Sequence, residues 1–234
     1  MRISLFFIIS TISMYSQAAF VLDSTRYIFD ESDKLLRLNI INKSEQRCAG
    51  VVSINSDIKS DGQDSPVIVA SPPVFKIDSG KAQAVRLKIL NKESLAKDIE
   101  SLFWIEAQEI PIIQNYSANS LVISMNTKVK LFYRPSSISK NRYSAEQLIY
   151  FINNKNSITL YNPTPFHFAL TKMTIHDSNK EILAPDSVVS DLAVFPPFSE
   201  VTWSQEGVTS IDSLTINAID DWGATKSYTI TGRR

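Results

Sequence analysis

Few side chains in this 234-residue sequence have the types and spacing that catalysis needs. His167 and His176 are the two histidines, and neither has a cysteine or a cluster of carboxylates beside it to complete a metal site. Asp220 and Asp221 form an acid pair, yet neighbours on a strand point to opposite faces, so joint acid–base work is not expected. The six glycines are scattered. They form neither a phosphate-cradling loop nor a Gly-x-Ser-x-Gly elbow. Serines are plentiful, but no neighbour marks one as activated. The one cysteine, Cys48, lies among Ala49, Gly50, Val51 and Val52 and reads as a small buried hydrophobe rather than a reactive thiol. The expectation is a protein that is not an enzyme and uses no metal and no cofactor. A hydrolase would need His167 or His176 beside a carboxylate and an accessible serine.

Binding through the backbone is the chemistry the sequence favours instead. From Asn119 to Pro135, bulky apolar residues occupy the odd positions Leu121, Ile123, Met125, Val129, Leu131 and Tyr133. Ser124, Asn126, Lys128, Lys130 and Arg134 occupy even ones, with Val122 and Phe132 as exceptions. A period of two predicts one long strand with an apolar and a mostly polar face. Pro135 ends it, having no N–H to donate. Alternation alone leaves open whether Leu121, Ile123 and Met125 fill the core of their own sheet or face a partner.

The elements around that strand follow from the rest of the chain. Arg2 precedes about a dozen mostly apolar residues, and Ser16-Gln17-Ala18 carries small residues at the −3 and −1 positions of a signal-peptidase site. Residues 1–18 are therefore read as a signal peptide cleaved after Ala18, too short to span a bilayer. No later stretch is apolar enough for membrane insertion. The remainder is long enough for one large core or two of roughly 100 residues each. With 24 basic and 24 acidic side chains, the chain offers no electrostatic case for a nucleic-acid partner. A single cysteine in an exported chain permits no internal disulfide, so packing must hold the fold.

Short β-rich runs separated by turn residues fill the chain. Phe20–Phe29, Leu35–Ile41, Cys48–Ile54, Val67–Val69, Val74–Ile77, Ala82–Ile89 and Leu102–Ile110 precede the long strand, as an immunoglobulin-like sandwich requires. Ser94–Ile99 is read as a short helical turn, and Pro135–Arg142 as a hinge with little to bury. A second set follows: Leu148–Phe151, Ile158–Leu160, Phe166–Ile175, Val188–Phe195, Ser199–Trp203, Leu214–Ile219 and Tyr228–Thr231. The fold class is all-β, with an N-terminal domain at 19–138 and a smaller C-terminal β-sandwich at 139–234.

Several segments, taken in order, resemble the periplasmic chaperones of the chaperone–usher pathway. They are Leu22 to Phe29, Ala70-Ser71-Pro72-Pro73-Val74, Glu100-Ser101-Leu102-Phe103-Trp104 with Glu109-Ile110-Pro111, Thr127 to Pro135, Asn162 to Phe166, and Asp220-Asp221-Trp222-Gly223. The resemblance implies two immunoglobulin-like domains set as an L around a cleft. It implies pilus (fimbrial) subunits and an outer-membrane usher as partners. A strand would be lent to a subunit that lacks one of its own, with Leu121, Ile123 and Met125 filling its groove. Arg26 and Lys130 would bind the subunit's terminal carboxylate, and Glu100, Arg134 and Asp221 would form an interdomain salt bridge. Pro72 or Pro73 would be cis.

Ile99 and Ser53 depart from the family pattern. The short Ile110–Ser120 connection and the lack of a cysteine pair look like its short-loop branch. Lys130 has the opposite parity from the groove-filling residues. A bulge, a twist, or a cleft beside the polar face would reconcile this, and the sequence does not choose. Whether the free protein self-associates is also open. The competing reading is a secreted two-domain immunoglobulin-like binding module or adhesin, whose long strand is core.

Overall fold

The computed structural model describes residues 20–56, 66–112, 123–154, 156–177, 180–205 and 211–233. Two β-sandwiches follow one another. In the first, β1 (Phe20–Leu22), β3 (Leu36–Asn42), β7 (Ala82–Ile89) and β5 (Ile68–Ser71) make one sheet in the order β1-β3-β7-β5. The facing sheet runs β2-β9-β8-β4-β6, from β2 (Arg26–Asp30), β9 (Asn126–Arg134), β8 (Ser101–Pro111), β4 (Cys48–Ser56) and β6 (Val74–Ile77). The run expected to be one strand over Phe20–Phe29 is thus two. It breaks at Asp23 to Thr25, where the chain passes from one sheet to the other and pairs with β9 in parallel.

Alternate residues of each strand meet between these sheets. Phe29, Leu38, Ile40, Val85, Leu87, Ile105 and Leu131 are fully enclosed. Each contributes about 1.5–3 kcal/mol of burial, which is how a chain without disulfides holds together. Gly50 admits the rings of Phe75 and Phe20, since a Cβ there would lie 2.2 Å from Phe75. Cys48 is buried in this core, its Sγ donating to Glu109 Oε1 at 3.2 Å, and burial raises its pKa.

The second sandwich pairs β10 (Tyr150–Asn154), β11 (Ser157–Tyr161) and β14 (Glu200–Ser204) against β13 (Lys180–Leu183), β12 (Leu170–Asp177), β15 (Ile211–Ile219) and β16 (Thr225–Ile230). Strand β13 was not foreseen. The strand expected over Val188–Phe195 is instead helix α2 (Asp186–Asp191) with a turn after it. Val188 and Leu192, four residues apart, are buried as one helical face. A short apolar run does not separate helix from strand by periodicity.

Two further expectations change. Ser94–Ile99 forms bends and a turn, with no helix. Residues 135–142 bury more than a hinge needs. Helix α1 (Ser136–Ser139) sends Ile138 into the second core, and Arg142 is buried too. The Ser71–Pro72 bond is cis.

Candidate functional site: paired cations at the end of an open strand edge

Strand β9 separates its two faces by residue type. Val129, Leu131 and Tyr133 pack into the first core. Lys130, Phe132 and Arg134 turn to the second domain. Lys130 therefore belongs to the polar face lining the interdomain cleft, and neither bulge nor twist is needed to place it there. Parallel pairing sets it opposite Arg26.

These two cations are anchored by carbonyls of the second domain. Arg26 Nη1 donates to Ile219 O at 2.9 Å and Lys130 Nζ to Ala193 O at 2.6 Å. Among the described residues no carboxylate forms an ion pair with either, and Arg26 Nε is buried without a hydrogen-bond partner. Burial lowers the pKa of both groups, and the field of Arg26 lowers that of Lys130 further. Two desolvated positive charges side by side favour an anion, which would relieve both the repulsion and the orphaned donor.

The edge of β9 opens at the same place. On one side β8 pairs with it from Asn126 to Tyr133. On the other, β2 covers only Lys130 to Arg134, so Asn126–Val129 has no strand neighbour there among the described residues. The extended strand of the sequence reading is shortened accordingly. Residues 123–125 lie before β9, tied to β8 by Glu109 N–H donating to Met125 O at 2.8 Å. Ile123 is 65% exposed and Met125 46%. Leu121 lies outside the described residues, as does most of the Ile110–Ser120 connection.

Charged side chains join the domains on the other side of Phe132. Arg134 reaches Glu100 through Nε at 2.6 Å and Asp221 through Nη1 at 2.7 Å. Asp221 sits in the turn between β15 and β16, so this chain of contacts crosses the domain boundary. Arg142 extends it, with Asp221 at 3.3 Å and Glu146 at 2.8 Å. Burial depresses the pKa of Arg134, but Asp221 and Glu100 outweigh it and raise the net value. Glu100 Oε2 also accepts from the backbone N–H of His167 at 2.9 Å. Arg142, Glu146 and His167 were missed by sequence reasoning. The i, i+4 spacing of Arg142 and Glu146 was the available signal. His167, weighed in the sequence only as a catalytic or metal residue, lies with its ring Nδ1 3.8 Å from the Glu100 carboxylate and its backbone N–H bonded to it.

Residues 19–139 match the family model described as pili and flagellar-assembly chaperone, PapD N-terminal domain, and residues 144–230 match the pili assembly chaperone PapD C-terminal domain. The chain belongs to the PapD family of pilus-assembly chaperones. This PapD-family chain is 37% identical over 218 residues to the chaperone protein FanE of Escherichia coli, covering 93% of this chain and 92% of FanE. It superposes on the YadV chaperone crystal structure with a TM-score of 0.73 at 25% identity, covering 92% of this chain and all of that one. The SafB chaperone, solved in complex with the Salmonella enterica SafA pilin, gives 0.73 at 21% identity, with 92% and 97% covered. The two sandwiches of this chain are therefore those of a chaperone–usher chaperone. Its curated relatives are chaperones rather than enzymes.

Proposed function

We propose that this PapD-family chaperone captures pilus subunits along the open edge of β9 and hands them to an outer-membrane usher. The observation that carries the reading is the coincidence of Arg26 and Lys130 with the point where β2 ceases to cover β9. A subunit strand laid along residues 123–129 takes the place β2 vacates. Its backbone completes the ladder, and Leu121, Ile123 and Met125 enter its groove. If the strand runs parallel to β9, as β2 does, its chain end arrives at Arg26 and Lys130. A terminal carboxylate is the anion that site accepts. The anchor also fixes register, because a slip of one residue would turn the apolar side chains away from the groove.

Glu100, Arg134 and Asp221, with Arg142 and Glu146, hold the two domains at the angle that shapes the cleft. Capture takes place in the periplasm, the compartment of this family's chaperones, after export by residues 1–18 and cleavage behind Ala18. Co-purification from periplasm with candidate subunits, comparing the native chain with Lys130→Ala, tests the reading. A one-to-one complex lost in the variant supports it. A complex that survives both Lys130→Ala and Arg26→Ala would sink the anchor.

A further inference from the structure

A cavity of about 250 Å³ opens over the interdomain ion pairs, walled by the second domain and by Arg134 at the end of β9, far along that strand from its open edge at residues 126–129. Arg142 and Glu146 line it, and each is at least nine-tenths buried while keeping a polar atom without a hydrogen-bond partner among the described residues, Arg142 Nε and Glu146 Oε2. Two aromatic side chains line the same cavity and are largely exposed. Tyr143 is 86% exposed and Trp222 80%. One exposed ring needs no explanation, but two on the wall of one cavity beside buried polar groups make a surface a ligand can use.

The turn that carries Trp222 is tied by hydrogen bonds. Asp220 accepts from Trp222 N at 3.0 Å and Ala224 N at 2.9 Å, and Gly223 takes φ +87° at the bend. Lys226 lies 5.7 Å from the centre of the Trp222 ring and 3.1 Å from Asp220. Next to Tyr143, Ser144 adopts φ +53°, a conformation non-glycine residues seldom take. The backbone beside each aromatic residue is therefore held in a defined turn.

Charge decides between ligand classes. Arg134, Arg142 and Lys226 among the lining residues are balanced by Glu146, Asp220 and Asp221. An anion or a cation gains little from such a balance. A neutral molecule with one apolar face and several vicinal hydroxyls gains from both rings and from the polar side chains on the cavity wall. A pyranose has that shape, its C–H face stacking on an aromatic ring while its hydroxyls meet planar polar groups. We propose that the cavity between Tyr143 and Trp222 binds a sugar ring of a glycan.

Two probes test this with the full chaperone, chitotriose as an N-acetylated glycan and maltotriose as a plain one, each followed by calorimetry. The expected result is saturable binding with a Kd on the order of 1 mM, as the few contacts of one or two rings allow. Trp222→Ala and Tyr143→Ala should each weaken it at least tenfold while subunit capture stays unchanged, since neither residue lies on the β9 edge. Binding of chitotriose alone would point to an N-acetylated cell-wall glycan, and equal binding of both to pyranoses in general. No saturable heat from either sugar up to about 20 mM, or native affinity retained by both variants, would overturn the assignment.

Discussion

Arg26 and Lys130 stand opposite one another in the parallel β2–β9 pair, and Arg26 is the first residue of β2. Above this point β9 has a neighbour on each side. Below it, among the described residues, one edge is open, and Ile123 and Met125 ahead of it are exposed. Positive charge with no carboxylate ion pair among the described residues thus marks the end of an unpaired ladder, where an incoming strand would terminate.

Removing either cation should therefore weaken capture severely. Lys130→Ala or Arg26→Ala leaves a bound carboxylate in the cleft short of a partner, costing about 3–5 kcal/mol when the bound strand buries the site. That is a hundredfold or more in affinity. Titration of a purified subunit peptide ending in a free carboxylate checks it. The same peptide with an amidated end should lose as much against the native chain.

The depressed pKa of Lys130 makes capture sensitive to alkali. Burial, with the field of Arg26, holds the ammonium below its usual 10.5, and a bound carboxylate would raise it again. Below the free-protein pKa the group is already charged and affinity is full. Above it, binding must take up a proton, so affinity should fall up to tenfold per pH unit as pH rises through that value toward 10.5. Lys130→Arg should abolish this decline, because a guanidinium stays charged there. An identical pH profile in the variant would show that another group is responsible.

Ile123→Asp separates a donated strand from a core strand. With 65% of its surface exposed, Ile123 is not holding the first sandwich together. The thermal midpoint should shift little, surface changes being usually within about 0.5 kcal/mol. Subunit capture should drop sharply, since a carboxylate would enter an apolar groove. Unfolding of the variant would return the segment to the core.

N-terminal sequencing of the periplasmic protein should give Ala19 as the first residue. Small residues at Ser16 and Ala18 set that position. A chain retaining Met1 in the periplasm would refute cleavage.

Much of this was legible because β-structure writes a period of two into the sequence. The runs at Val74–Ile77 and Ala82–Ile89 became strands with those bounds. What alternation did not carry was direction in space. Lys130 and Met125 differ in parity, yet only the packing of Val129 and Leu131 into the first core tells which face looks at the second domain. Arg142 was hidden for a related reason. A charged residue after a proline and a run of serines reads as solvated, and its burial depends on Asp221 arriving from a distant turn of the second domain as well as on Glu146 four residues on. The helix at Asp186–Asp191 was missed because six residues are too few for a helical period to outweigh the β-branched pair Val188 and Val189.

The interdomain ion pairs should behave as a unit. Arg134 and Glu100 are both almost fully buried, so Arg134→Met strands Glu100 without its charge partner and should destabilise the protein by about 3–5 kcal/mol in urea unfolding. Glu100→Leu should do similar harm by stranding Arg134 beside a single carboxylate, and it also removes the acceptor of His167 N–H. The double variant Glu100→Leu with Arg134→Met removes both charges together. Its loss should be clearly smaller than the two single losses added, the difference measuring the coupling. Asp221 would still have Arg142 within 3.3 Å, so the turn that carries it is not left with a lone charge. Capture should suffer more than stability in that double variant, because the apolar pair no longer fixes the domain angle on which the Arg26–Lys130 cleft depends. Additive stability losses would mean that the contacts act independently.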